Sequence, residues 1–338
     1  MKTYAGIDLH SSNNYIGVID TNDKRLYSKR HENQLKHVLK ALTPFKKTLK
    51  GVVVESTYNW YWLVDGLQEH GFKVHLANPA AIQTYNGLKH TDDKWDSFWL
   101  AHLLRLGLLS EGYIYPKDQR PIRDLLRRRL MFVRQRTSQI LSLQSMISRV
   151  RSLDFSGNSI KRFDMAFIER LFDSYHHRFT AERNLLTIHF LEGIIREIET
   201  EVRSQTQLRE DFQLLLTTPG IGLILGLTIM LEVGDIARFP TAGNYSSYCR
   251  CVESKKITNN KKKGENNKKN GNRYLAWAYV EAANHTIRVC PKAQKFFQRK
   301  MAKGNRTLAI KALANKLSKA NYYMMRDQVP YDVDRLFR

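Results

Sequence analysis

Four carboxylates stand at positions where an unpaired charge is costly. Asp8 closes the apolar run Gly6-Ile7-Asp8-Leu9-His10, and Glu55 closes the continuous run Gly51-Val52-Val53-Val54-Glu55. An acid ending a buried strand loses hydration unless something at that sheet edge uses its charge. Asp93 and Asp96 open a helical pattern and, three residues apart, share one helix face. Asp92 competes for the role given to Asp93. Such like charges repel, and a divalent cation offsets the repulsion; hard oxygen ligands drawn from several elements suit Mg²⁺ or Mn²⁺. Two such ions clamp the attacking and leaving oxygens of a phosphodiester during in-line displacement. Taken singly, each acid has an ordinary reading as a turn capper, a salt-bridge partner or a helix-start acid favoured by the dipole. Their joint placement favours the metal reading.

The elements that must position them are short. Residues 3–9 and 14–20 are β-rich runs separated by the turn cluster His10-Ser11-Ser12-Asn13, which reads as a hairpin. A third strand is expected near 24–29, a buried one at 51–55 and another at 74–77, with helices over roughly 33–47, 57–70, 80–87 and 95–109. Strands first paired antiparallel and then alternating with helices make a mixed sheet covered by helices. If the first and fourth strands are neighbours, Asp8 and Glu55 converge at one sheet end. Residues 1–115 are therefore expected to form an α/β catalytic domain.

Beyond Pro116 the character changes. From Gln119 to Arg151 there are nine arginines and one acid, Asp124, with apolar residues at helical spacing; residues 180–212 repeat that spacing with Leu185, Ile188, Leu191, Ile195, Ile198 and Val202. Residues 116–213 are expected to form an arginine-rich helical or coiled-coil insert, and 214–338 a mostly helical C-terminal domain. The latter opens on Thr217-Thr218-Pro219-Gly220-Ile221-Gly222, which resembles the hairpin of a helix-hairpin-helix element whose glycines would present N–H groups to a phosphate. The segment after Ser254 holds eight basic residues and one acid and is expected to be a flexible loop that orders on a phosphate backbone.

With 55 Lys+Arg against 32 Asp+Glu the net charge is +23, which makes nucleic acid the expected partner. Candidate contacts are Arg127, Arg128 and Arg134 in the helix, and Lys255, Lys256, Lys261, Lys262, Lys263, Lys268, Lys269 and Arg273 in the loop. No signal-like start is seen, and the most apolar stretch, Leu214 to Val233, is broken by Pro219 and glycines and makes a poor membrane span. Cys249, Cys251 and Cys290 lack zinc-ligand spacing and read as reduced thiols. A cytoplasmic, nucleoid-associated protein with no membrane contact is expected.

Joined together, these segments resemble the DEDD transposases of insertion sequences, which act as recombinases guided by a bridge-type RNA. The motifs are GIDLH, VVVES, the segment around Asp93 and Asp96, TTPGIG, the stretch from Gly234 to Pro240, and KNGNRYLAWAYVEAA from Lys269 to Ala283. The resemblance implies a RuvC/RNase-H-like N-terminal domain whose carboxylates Asp8, Glu55, Asp93 and Asp96 hold Mg²⁺. It also implies dimers that pair into homotetramers, a structured guide RNA, and donor and target DNA as partners. A serine of a neighbouring subunit would form a covalent link to the DNA phosphate. Here the chain departs from the family: Thr258-Asn259 stands where Ser-Gly is expected, and Ser254 is the only serine of the loop. Either Thr258 or Ser254 is the candidate nucleophile, or this copy of the enzyme is impaired. A hydrolytic RuvC-like nuclease and a non-catalytic nucleic-acid-binding protein are the competing readings. An actin-like ATPase is disfavoured because no phosphate-cradling glycine loop follows the first strand.

Overall fold

The computed structural model describes residues 1–79, 82, 92–205, 210–254, 256–264 and 270–337. The chain forms two compact units, Met1–Lys117 and Asp118–Arg338. The helix expected over 80–87 lies, Ile82 apart, outside the described residues.

In the first unit β1 (Thr3–Leu9) pairs antiparallel with β2 (Asn13–Asp20), and β2 antiparallel with β3 (Arg25–Glu32). On its other side β1 runs parallel to β4 (Leu49–Glu55), which runs parallel to β5 (Val74–Ala77), so the order is β3-β2-β1-β4-β5. The two strands that end in Asp8 and Glu55 are thus neighbours. Strand periodicity of two decides what each face does. Ala5, Ile7, Leu9, Ile16, Val18, Val52 and Val54 pack with Val38 and Leu42 of α1 (Leu35–Leu42) and with Leu63 and Leu67 of α2 (Tyr61–Glu69). The alternate residues face α3 (Asp93–Leu106), whose Phe98, Leu100 and Ala101 cover Ile19, Val53 and Ala77. Asp8 and Glu55 share the parity of Gly6 and Val53, so both belong to the α3 face.

Contact with α3 is made through glycine. Gly6 and Gly17 lie opposite each other across β1 and β2. A Cβ on Gly6 would lie 2.0 Å from the Ser97 carbonyl oxygen and 2.8 Å from the Ala101 nitrogen; one on Gly17 would lie 2.8 Å from Ser97 Oγ. The start of α3 is set by Asp92, whose side chain accepts the Trp95 N–H at 2.7 Å, and its end by Gly107 at φ 69°.

In the second unit α4 (Arg120–Arg151) and α7 (Tyr175–Gln205) lie side by side as a long helical hairpin. Arg129 pairs with Glu199 at 2.5 Å, and Arg136 with Glu192; seven residues forward on one helix is seven back on the other, so the two run antiparallel. Far from its base the hairpin has a core of its own, in which Ile140, Leu143, Ile147, Leu185 and Ile188 meet α5 (Gly157–Ile160), α6 (Met165–Leu171) and Phe172. At the base Leu126 and Val202 join a second core with α8 (Glu210–Leu216), α9 (Leu223–Val233), α10 (Ala242–Tyr248), α11 (Arg273–Val289), α12 (Pro291–Met301) and α13 (Arg306–Asp327).

Helix α9 explains the most apolar stretch of the chain: it is buried from Leu225 to Val233 as the central helix of this core. Among the described residues no helix is long and apolar enough to cross a membrane. The three cysteines are free thiols, all buried.

One local expectation is corrected. The lysine-rich segment is not uniformly a loop: β6 (Lys256–Thr258) and β7 (Lys261–Gly264) form an antiparallel hairpin, closed by Asn259 and Asn260 at φ 50° and 55°. Two consecutive positive-φ residues make the tight turn that suits strand twist, and asparagine tolerates that region. Gly220, at φ 88°, packs closely on α11: a Cβ there would lie 2.6 Å from Thr286 N, and Thr286 Oγ donates to the Pro219 carbonyl at 2.6 Å, which seats the turn that leads into α9.

Replacing Gly6 by alanine should force α3 off the sheet and destabilise the first unit by about 3 kcal/mol or more, the scale of overpacking a tight core. Tryptophan fluorescence during urea unfolding checks this, because Trp60, Trp62, Trp95 and Trp99 all lie in that unit. An unchanged midpoint would show that α3 is not seated through this glycine.

Candidate active site

The close approach of α3 delivers its first turn to the sheet end where β1 and β4 stop. Asp8 is buried, and Glu55, Asp93 and Asp96 are partly buried. Asp8, His10 and Asp93 each offer an atom within 4.8 Å of the others. His10 Nε2 lies between the two carboxylates, 3.1 Å from Asp8 Oδ2 and 3.2 Å from Asp93 Oδ1. The other Asp93 oxygen receives Arg30 Nη2 at 2.6 Å. Glu55 and Asp8 share a hydrogen bond, and Asp96 feels the charges of Glu55, Asp93 and Asp92. Asp92 is engaged as the helix cap, which separates it from Asp93 in role.

The turn that carries His10 is held in place. Its carbonyl accepts side-chain amides from Asn33 at 2.9 Å and Asn59 at 3.0 Å, while its own N–H donates to the Asn13 carbonyl at 2.9 Å. Buried Asn14 braces Asn33 from below at 3.0 Å.

The electrostatics are those of crowded acids. Burial raises the Asp8 pKa, with the charges of Asp96 and Asp93 adding to it, against a hydrogen bond from Glu55 and the charge of His10. Burial, followed by the hydrogen bond and charge of Asp8, pushes Glu55 up to about 7. Burial and then Glu55 raise Asp96. The donor set fits a divalent cation on a specific observation: Asp8 Oδ2 is buried, and its close neighbour His10 Nε2 at 3.1 Å lies outside hydrogen-bonding geometry. Buried carboxylate oxygens ordinarily find a donor, so this oxygen is suited to a cation.

All four expected carboxylates therefore meet at one sheet end. Sequence reasoning missed His10 and Arg30. The signal for His10 was its place two residues beyond Asp8; Arg30 could be found only from the register Asp8↔Tyr15↔Arg30 across three strands.

The second unit places the remaining candidates. Thr258 is exposed beside the hairpin turn, while Ser254 is partly buried upstream of β6. Lys261 and Lys263 are exposed on β7, Lys256 and Lys262 belong to the same hairpin, and Lys255, Lys268 and Lys269 lie outside the described residues. Arg273 is exposed and sits over the Tyr274 ring. Arg128 and Arg134 are exposed on α4.

Arg127 requires correction as a free contact for nucleic acid. Its Nε and Nη2 donate to both oxygens of buried Glu232 at 2.6 and 2.7 Å. Asn272 Nδ2 donates to the same carboxylate at 2.7 Å, and Asn272 Oδ1 caps α11 by accepting Tyr274 N and Leu275 N. The Asn272 N–H bonds the Tyr248 carbonyl at 2.6 Å, and Arg250 donates to the Gly271 carbonyl at 2.8 Å. This network pins the root of the segment that carries Thr258. Arg129 and Arg136 are likewise committed to α7, so much of the arginine content of α4 is structural.

Comparison with known proteins bears on the whole arrangement. Residues 5–151 match a DEDD family described as "Transposase", and residues 212–298 match "Transposase IS116/IS110/IS902 family", together more than half the chain. The chain belongs to the IS110 family of transposases. An uncharacterized 43.6 kDa protein of insertion element IS110 from Streptomyces coelicolor is 26% identical over 138 residues, 40% of this chain and 34% of its own length. A relative in Sinorhizobium fredii is 25% identical over 246 residues, 70% of this chain and 58% of its own. The transposase for insertion sequence element IS1533 of Leptospira borgpetersenii is 23% identical over 252 residues, 69% of this chain and 70% of its own. The first two alignments thus span about a third and somewhat over half of those relatives' lengths. In this IS110-family chain the first match contains all four site carboxylates, and the second contains Glu232, Thr258 and Asn272.

Two outcomes test the geometry. Mn²⁺ or Mg²⁺ should raise the unfolding temperature of the first unit, and Asp8→Asn should abolish that rise; a rise that persists in Asp8→Asn would place the metal elsewhere. For the metal-free protein, the folded-state pKa of Glu55 lies above its ordinary 4.5, at about 7. Its contribution to stability is thus complete below the lower value and lost as pH rises through the higher one. Stability should fall across that window, and Glu55→Gln should flatten the fall. Separately, Glu232→Ala should cost about 3 kcal/mol by removing the bidentate partner of Arg127 and the acceptor of Asn272, read by thermal unfolding of the second unit.

Proposed function

We propose that this chain is a metal-dependent DNA strand transferase that moves an insertion sequence, acting in the cytoplasm on donor and target DNA selected by a structured guide RNA. The gathering of Asp8, Glu55, Asp93 and Asp96 at one sheet end carries the reading, with Asp8, His10 and Asp93 offering ligand atoms within 4.8 Å of one another. Asp8, Glu55, Asp93 and Asp96 would hold Mg²⁺, which when bound supplies charge neutralisation at the attacking and leaving oxygens of a phosphodiester. Arg30 and His10 orient Asp93 from outside that set.

Thr258 is the favoured nucleophile. It is exposed beside a two-residue turn of positive φ, whereas Ser254 is partly buried. Its hydroxyl oxygen would form a bond to phosphorus as the bond from phosphorus to the leaving sugar oxygen breaks, the hydroxyl proton ending on the released sugar hydroxyl. Its β-methyl restricts χ1, so the in-line approach is narrower than for serine. A site completed in a homodimer that pairs into a homotetramer, with α4 and α7 as a coiled-coil insert, follows the family resemblance. The cationic groups exposed on α4 and on the hairpin suit phosphate contacts, whose number sets the salt dependence of binding.

Incubating the protein and its co-purified RNA with donor plasmid and Mg²⁺, then denaturing in detergent, should yield a protein–DNA adduct. Thr258→Val should abolish it, Thr258→Ser should keep or raise it, and Ser254→Ala should leave it. Asp8→Ala should abolish it without loss of bound RNA. An adduct lost with Ser254→Ala but not Thr258→Val would reverse the nucleophile; metal-dependent cleavage with no adduct in any variant would make the enzyme a hydrolytic nuclease.

A further inference from the structure

Strand β3 has a second face. Arg30 turns toward α3 and Asp93, so Tyr27, Lys29 and His31 turn the other way, where α1 and the segment after it lie. Between them is a cavity of about 510 Å³, into which Tyr27, Lys29, His31, His37, Lys40 and Phe45 project. Its size is that of a small-ligand site.

The lining is of two kinds. One wall is aromatic: Tyr27 stacks on His31 with ring centroids 6.0 Å apart and 5° between planes, and meets the edge of Phe45 at 6.3 Å. The Tyr27 hydroxyl and His31 Nε2 are hydrogen-bonded at 2.8 Å, so the stack is fixed before any ligand arrives. The rim is cationic: Lys29 and Lys40 are exposed and His37 is partly so, and no carboxylate lines the cavity among the described residues. Desolvation, then the charges of Lys29 and His37, lowers the His31 pKa, keeping that ring neutral and suited to stacking. Aromatic faces beside flexible ammonium groups match a nucleobase joined to a phosphate. An acidic peptide would use the lysines and leave the rings idle.

We propose that this cavity holds one nucleotide of a single-stranded nucleic acid, with its base against Tyr27 and Phe45 and its phosphate against Lys29 and Lys40. The ligand occupies the opposite face of β3 from the carboxylates, so its binding needs no divalent ion. Base–aromatic stacking of this kind is worth about tenfold or more in affinity per base.

Photocrosslinking tests it. The full-length protein is mixed in EDTA and moderate salt with a short single-stranded RNA carrying 5-iodouridine, irradiated, and mapped by tandem mass spectrometry. Crosslinks should fall on Tyr27, His31 or Phe45, and the exposed pair Lys29→Glu with Lys40→Glu should lower their yield several-fold by replacing phosphate attraction with repulsion. Because both lysines are exposed, an unchanged thermal midpoint would show that the double variant still folds. Asp8→Ala should keep the crosslink although it abolishes the DNA adduct, so this proposal and the strand-transfer reading fail separately. Crosslinks that survive the charge reversal, arise only elsewhere, or vanish with Asp8→Ala would overturn the assignment. Uridine monophosphate competing as well as the oligomer, nucleotide for nucleotide, would make the cavity a free-nucleotide site and overturn it also.

Discussion

Helix α3 rests on the sheet at a distance that only hydrogen side chains permit. Gly6 and Gly17 face each other on adjacent strands, and the Ser97 carbonyl fills the space where the Gly6 Cβ would be. Everything at the carboxylate end depends on this seat. Pushing α3 outward by one methyl group would move Asp93 and Asp96 away from Asp8 and Glu55 together, since all of the helix moves as a rod. The two glycines thus sacrifice strand propensity and buried side-chain area, at a cost of roughly 0.5–1 kcal/mol each, and in return fix the distance between acids that lie far apart in sequence.

The site concentrates negative charge in a protein of net charge +23. Among the described residues, Arg30 pairs with Asp93, and His10 lies between Asp93 and Asp8. Burial raises the pKa of both Asp8 and Glu55, and their proximity raises Glu55 further. Groups that a fold would stabilise by removing are retained, as is usual where charge must be available to a cation. Elsewhere the balance is reversed. In the second unit Arg127, Arg129 and Arg136 find carboxylates on packed helices, and the exposed cations, Arg128, Arg134, Lys261 and Lys263, are what a polyanion would meet.

Much of the fold was legible from residues alone. The hairpin of β1 and β2, the buried run of β4 and the long stripes of α4 and α7 follow from periodicity and turn residues, since a period of two or of 3.6 is a local property. The glycine-poor arginine helix was also legible as a helix, though not as an ion-paired one. Its charge pattern is local, whereas its acids, Glu192, Glu199 and Glu232, come from helices far along the chain. The Asn259-Asn260 turn was read as flexible because polar, lysine-rich composition signals disorder more readily than it signals two positive φ angles.

The sequence by itself determined which groups could do chemistry: two acids at strand ends, two on one helix face, a hydroxyl in a basic segment, and an excess of positive charge. Those are properties of residue type and spacing. Only the tertiary structure decided which of them meet. It brought Arg30 beside Asp93 through strand register, lodged His10 between two carboxylates through a turn held by Asn33 and Asn59, and turned Arg127 inward to Glu232. The reason is that a side chain's partners are set by backbone approach and facing direction, and these arise from contacts between segments that local pattern does not register.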